Sequence, residues 1–171
     1  MVTELDKTAE NVVQLLKERG LTLATAESCT GGLISAEITS VSGSSDVFGF
    51  GVCTYANEAK MKLLGVREET LASVGAVSEE TAVQMAEGIR KLANADITVS
   101  VTGIAGPTGG SEEKPVGTVY IGFSSAGHTY AKRYIFTGGK FPEAANKREA
   151  IRYETALTAL ETVIKEIQQK I

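Results

Sequence analysis

Apolar positions along the chain recur at two spacings, and those spacings predict its elements. Residues 3–19 carry Leu5, Ala9, Val12, Val13, Leu15 and Leu16 at helical intervals, with Thr3 as N-cap and Gly20 as stop. Residues 21–26 form a short β-like run, and residues 30–41 read as a helix that ends near Gly43. Residues 48–55 mix aromatic and β-branched side chains with glycine and predict a strand. Residues 57–64 predict a helix closed by Gly65, and residues 67–74 a second short one. Ser78 caps a further helix whose first turn holds Glu79 and Glu80, which suits the helix dipole. Residues 96–102, D-I-T-V-S-V-T, read as a buried strand, followed by a glycine- and proline-rich loop over 103–115. Residues 117–124 and 129–136 predict a hairpin turning at Ala126, Gly127 and His128, and a long helix runs from about Pro142 to the end. Helices and strands in alternation predict one α/β domain with helices on both faces of a sheet that is antiparallel in part.

Composition adds exclusions. The 171 residues are 43% hydrophobic and 22% charged, within the range of an ordinary globular protein. A net charge of −4 with no block of like charge argues against a nucleic-acid binder, which needs a basic face, but leaves room for a small anionic ligand in a local pocket. The N-terminal residues are polar and acidic, without the apolar core of a signal peptide, and no apolar run is long enough to cross a membrane. Cys29 and Cys53 form neither a zinc pattern nor a disulfide framework, which predicts a reducing, cytoplasmic setting. The sequence has one histidine, His128, placed in a predicted surface turn. Histidine-dependent hydrolase chemistry and the usual His-rich zinc site are therefore unpromising, and acid–base work falls to Lys, Tyr, Asp, Glu or Cys.

Four segments carry candidate chemistry. Glu27-Ser28-Cys29-Thr30-Gly31-Gly32 follows a strand and opens a helix, where ligands of open α/β sheets gather. It reads either as a ligand site or as a helix start capped by Ser28 or Thr30, and it lacks the G-K-[ST] of a P-loop. The second loop, from Thr102 through Gly103 and Gly106 to Gly117, holds five glycines and two prolines. It reads as an anion-binding or substrate-closing loop, or as a mobile excursion. In T-Y-A-N-E-A-K, Lys60 is a candidate general base and Tyr55 a proton relay. Each has a plainer alternative, a surface lysine and a core aromatic with a wet tip. Arg148 and Arg152, four residues apart, share a helix face and can grip one phosphate or carboxylate, or simply line a solvated face beside Glu149 and Glu154.

Taken together, T-A-E-S-C-T-G-G, T-Y-A-N-E-A-K, L-G-V-R-E-E-T-L-A-S-V-G-A-V-S-E-E-T-A and G-I-A-G-P-T-G-G-S-E-E-K-P-V-G-T-V closely resemble the CinA C-terminal family, in the same order, over about residues 21–160. The resemblance implies a three-layer α/β/α sandwich with a mixed, mostly parallel sheet in a single domain, commonly oligomeric. It also implies hydrolysis of the carboxamide of nicotinamide mononucleotide to nicotinate mononucleotide and ammonia, in pyridine-nucleotide recycling, with no metal and no cofactor. Its expected partners are the small pyridine mononucleotide and further copies of the chain, with neither nucleic acid nor membrane. In some relatives a molybdopterin-binding-like domain precedes this one, and its pyrophosphatase-type activity is not carried over.

Carried over by position, the resemblance makes Ser28 the nucleophile and Lys60 and Tyr55 its activating partners. Cys29 becomes a packing residue, and backbone N–H groups from Cys29 to Gly31 become the oxyanion hole. Thr30, Gly31, Gly32, Thr102, Gly103 and Gly106 are expected to line the substrate, with Arg148 or Arg152 on its phosphate. Two other readings compete. One is a non-catalytic nucleotide-binding or regulatory module linked to competence or DNA damage. The other is a cysteine amidase using Cys29.

Overall fold

The computed structural model describes residues 3–170, the side chain of Lys170 excepted, so Ile171 at the end of the predicted last helix lies outside the described residues. Its elements are α1 (Glu4–Arg19), β1 (Leu23–Glu27), α2 (Leu33–Ser40), a 3-10 turn (Ser44–Asp46), β2 (Phe48–Cys53), α3 (Asn57–Leu64), α4 (Glu68–Ser73), α5 (Glu79–Ala93), β3 (Ile97–Gly103), β4 (Thr118–Ser124), β5 (Thr129–Ile135) and α6 (Lys147–Lys170). Where a helix end is set by its own sequence, pattern and structure agree. Thr3 and Asp6 form a capping box on α1, Gly20 closes it in the left-handed region, Gly65 closes α3, and Ser78 accepts from the Thr81 N–H at the start of α5. Two helix starts differ. The helix expected from residue 30 begins at Leu33, and the last helix begins at Lys147 instead of near Pro142, after a run of turns.

The five strands form one sheet in the order β2-β1-β3-β4-β5. β1 pairs in parallel with both β2 and β3, whereas β3–β4 and β4–β5 are antiparallel. The sheet is thus mixed, with ladders divided evenly between the two kinds. β5, antiparallel to β4, again runs with the first three strands. Helices α1, α2 and α6 cover one face over a core that includes Leu16, Ile34, Val99, Val101, Phe123 and Leu160. Helices α3, α4 and α5 lie on the other, where Ala24, Ala26, Leu64, Met85 and Ile89 pack together. The result is the expected three layers.

β3 shows why both faces close tightly. Its apolar residues Ile97, Val99 and Val101 enter the first core, and its alternate polar residues face α5 in place of water. Thr98 donates to the Ala86 carbonyl, Ser100 to that of Ala82 and Thr102 to that of Ala76, so every buried hydroxyl in the stripe has an acceptor. Close approach also demands glycine at Gly88, where a Cβ would stand 1.9 Å from the Leu64 carbonyl oxygen of α3.

The chain leaves β1 through α2 on one face and returns to β3 through α3, α4 and α5 on the other. The crevice beyond the carboxyl ends of β2, β1 and β3 is therefore a switch point of the kind where α/β sheets bind ligands.

Candidate active site

The residue that organises this crevice is Glu27, the last of β1. Its side chain is fully buried. Oε2 accepts from the Thr30 hydroxyl (2.6 Å) and from the N–H groups of Gly32 and Ile34 (3.0 Å each), while Oε1 accepts from the Ser35 N–H (2.8 Å) and hydroxyl (2.7 Å). A carboxylate placed five residues upstream thus caps α2, and neither Ser28 nor Thr30 does. The formal N-cap is Gly32, left-handed with φ +97° and without a side-chain cap of its own. This displaces the helix start from Thr30 to Leu33 and leaves residues 28–31 as a tight turn, in which the Gly31 N–H donates to the Ser28 carbonyl.

Ser28 sits at the head of that turn. Its N–H donates to the Val101 carbonyl of β3, and its Oγ lies 3.1 Å from Lys60 Nζ. Lys60 belongs to the first turn of α3, just past the end of β2, and is 1% exposed. Its amine also donates to the carbonyls of Thr54 (2.8 Å) and Tyr55 (3.2 Å). No carboxylate pairs with it among the described residues. Burial pulls its pKa below the ordinary lysine value, against a smaller opposing influence from Cys29 and Cys53. Cys29 is 5% exposed, and burial pushes its thiol up to about 12, so it stands protonated at neutral pH. That is the environment of a packing residue and opposes the cysteine-amidase reading.

The other predicted residues divide. Tyr55 contributes its backbone carbonyl to Lys60, but the residue is 62% exposed and its hydroxyl accepts from Arg148 (3.1 Å). The phenol makes no described bond to Ser28 or Lys60, although Tyr55 lines the same cavity as both. Arg148 also donates to the Gly106 carbonyl and so ties α6 to the loop over 104–117. Arg152, one helical turn on, spends Nε and Nη2 on the Thr30 carbonyl (3.2 and 2.6 Å). The two arginines therefore do different work.

A cavity of about 210 Å³ is lined by Ser28, Cys29, Lys60, Thr102, Gly103 and Arg148, among others. Thr30, Gly31, Gly32, Gly106 and Arg152 are outside its lining. Thr30 is turned towards Glu27, and Gly106 is crowded by Val116, so these residues shape the site from behind. Asn57, Ala76, Val77 and Ala105 line the cavity without having been predicted. Asn57 lies inside T-Y-A-N-E-A-K, a motif whose other polar residues drew attention first. A neighbouring depression of about 540 Å³ shares Ala105 and Arg148 with the cavity and adds Asn146 and Lys147. A larger one, about 580 Å³ between α3 and α5, holds no serine–lysine pair and is remote from this chemistry.

The backbone amides of the turn are also divided. Those of Ser28, Gly31 and Gly32 are taken by Val101, Ser28 and Glu27. Within the expected oxyanion stretch, no described bond to another residue takes the Cys29 and Thr30 N–H groups, but only Cys29 lines the cavity, Thr30 is fully buried outside it, and Gly31 drops out. His128 lies at the other end of the sheet, where β4 ends opposite Thr98, and its ring bonds Glu166 (2.7 Å). Among the described residues no group of three or more His, Cys, Asp or Glu side chains is placed to hold a metal ion, and no helix is long and apolar enough to cross a membrane.

Known proteins resemble this chain throughout. Residues 5–167 match the model of the CinA C-terminal domain. A CinA-like protein of Kosmotoga olearia is 53% identical over 154 residues, covering 90% of this chain. The chain spans only 35% of that longer relative. The nicotinamide-nucleotide amidohydrolase PncC of Escherichia coli is 49% identical over 168 residues, which is 98% of this chain and 97% of PncC. Among solved structures, the competence/damage inducible protein CihA of Agrobacterium tumefaciens superposes with a TM-score of 0.89 at 40% identity, covering 98% of this chain and 97% of its own.

Proposed function

The chain belongs to the CinA C-terminal domain family, and from that membership we propose that it hydrolyses the carboxamide of nicotinamide mononucleotide, yielding nicotinate mononucleotide and ammonia. Near-complete alignment with a nicotinamide-nucleotide amidohydrolase supports the substrate class. The observation that carries the chemistry is the buried 3.1 Å contact between Lys60 Nζ and Ser28 Oγ.

A neutral amine has two N–H bonds and one lone pair. The Thr54 and Tyr55 carbonyls receive the two N–H bonds, and the lone pair is left to accept from the Ser28 hydroxyl. Burial favours that neutral form. Ser28 Oγ then attacks the carboxamide carbon as its proton passes to Lys60. The Cys29 N–H group, at the cavity wall, receives the developing oxyanion. The carbon–nitrogen bond breaks, and the leaving nitrogen takes the proton from Lys60 and departs as ammonia. Water, deprotonated by the same amine, attacks the acyl-serine carbonyl. Ser28 recovers its proton, and the product leaves as a carboxylate.

The cavity of about 210 Å³ falls short of the usual range for a whole small-molecule site, so it suits the pyridine end. The ribose phosphate then extends into the adjoining depression past Arg148, which borders both. Arg148, and not Arg152, is the phosphate-side arginine in this reading.

The test is ammonia release from nicotinamide mononucleotide by chelator-treated protein, with Ser28→Ala alongside. Release by the parent and a fall of about 10³-fold or more in the variant is the expected result. Saturable binding without release by the parent would replace the amidase with the nucleotide-binding module.

A further inference from the structure

Glu27 takes no part in the reaction just described, yet it is the most heavily bonded side chain of the site. Its two oxygens receive five hydrogen bonds while fully buried. An ionised carboxylate offers about four lone-pair sites and no donor, so this one is saturated. The three on Oε2 come from Thr30, Gly32 and Ile34, which span the second half of the nucleophile turn and the first residues of α2.

This has two consequences for the turn. The amides that a bare helix start would turn towards an anion are already taken, so α2 offers little to the oxyanion. The Cys29 N–H group is left over at the cavity wall, and Thr30 behind it is held at both ends, by Glu27 through its hydroxyl and by Arg152 through its carbonyl. The two contacts come from elements far apart in sequence, β1 and α6. Resting on the serine-amidase reading, we infer that Glu27 is a positioning residue. Through Thr30 and the turn it aims the Cys29 N–H and Ser28 Oγ at one point without touching substrate. Glutamine cannot replace it, because its NH₂ would face at least one backbone N–H on whichever side it lay.

The experiment measures kcat, KM and thermal unfolding for the parent, Ser28→Ala, Glu27→Gln, Thr30→Val and Ser35→Ala on nicotinamide mononucleotide. In Glu27→Gln kcat falls by about 10²-fold with KM within about threefold, as expected of a misaimed turn. If that protein fails to fold, the other pair decides. Thr30→Val keeps the shape and removes only the bond to Oε2, so kcat falls by about tenfold at unchanged KM. Ser35→Ala removes a bond to Oε1 that bears on the helix, so unfolding temperature drops while kcat stays within about threefold. A mere helix cap would lower stability in both and spare kcat in both. Parental kcat in Thr30→Val, or equal losses in the two variants, overturns the role of Glu27 alone when Ser28→Ala is inactive. Full turnover by Ser28→Ala removes the serine reading and the role of Glu27 with it.

Discussion

The two glycine-rich loops at the mouth of the crevice look alike in sequence, each following a strand, yet they are built in opposite ways. The turn over 28–32 is fixed from within. A buried carboxylate holds the Gly32 N–H, a neighbouring strand carbonyl the Ser28 N–H and an arginine the Thr30 carbonyl. The loop over 104–117 is fixed at its edges. The Ile104 N–H donates to the Thr118 carbonyl of β4, the Gly117 N–H donates to the Ile104 carbonyl and the Gly117 carbonyl accepts from Phe136. Lys114 reaches the Val74 carbonyl, and Arg133 and Arg148 each hold one carbonyl of the loop. The first has the rigidity that aiming a nucleophile requires, and the second has the reach to wall a ligand. Glycine content does not separate these roles. The placement of charged side chains around the glycines does.

The sharpest way to break the comparison is to remove the base that faces the rigid turn. Lys60→Ala is expected to lower kcat by about 10²–10⁴-fold with the fold intact. The pH profile carries the same claim. The base works deprotonated, so activity is lost as pH falls through its pKa. Burial sets that limb below the ordinary lysine value of 10.5. The parent should show the limb in kcat/KM, and the residual rate of Lys60→Ala should not. A limb in the carboxylate range, near about 4, would assign the base to an acid side chain instead.

The two arginines sharpen it next, because each belongs to one loop. Arg148 borders both cavities and holds Gly106. Arg148→Ala should raise KM by about 10-fold and shrink the preference for the mononucleotide over the riboside, with a smaller change in kcat. Arg152 grips Thr30, so Arg152→Ala should lower kcat by a similar factor and leave that preference unchanged. Matching profiles for the two variants would mean that the loops share one function.

How much of this was legible from sequence follows from how local each determinant is. Helix ends written in neighbouring residues, as at Thr3, Gly20, Gly65 and Ser78, were readable because cap and helix lie within a few positions. The start of α2 was not, since its cap is the side chain of a strand residue. The two arginines looked equivalent because helical spacing says only that they share a face. Which carbonyl each meets depends on how α6 lies across the sheet. Tyr55 meets Lys60 through its backbone carbonyl while its phenol meets Arg148, a division that its place in the motif does not foretell. The Ser28–Lys60 pair, 32 residues apart, was reached through family resemblance, because nothing in local pattern connects them.

The smallest effect gives the most controlled test, since one substitution can be made in each loop under matched sterics. Gly31 (φ +65°) and Gly109 (φ +87°) both lie in the left-handed region, and a Cβ at either would meet its nearest atom at 3.7 Å. Neither alanine clashes, so each should lose stability by about 1 kcal/mol from backbone strain alone. Activity should part them. Gly109→Ala strains a wall next to Ile104 and should keep kcat within about twofold. In Gly31→Ala the same strain falls beside the Arg152 guanidinium, in a turn with no slack between Glu27 and Thr30, and kcat should fall by about tenfold. Matched stability losses with unequal kcat would show that rigidity at the nucleophile turn is used for chemistry. Equal kcat in the two variants would leave the difference between the loops architectural only.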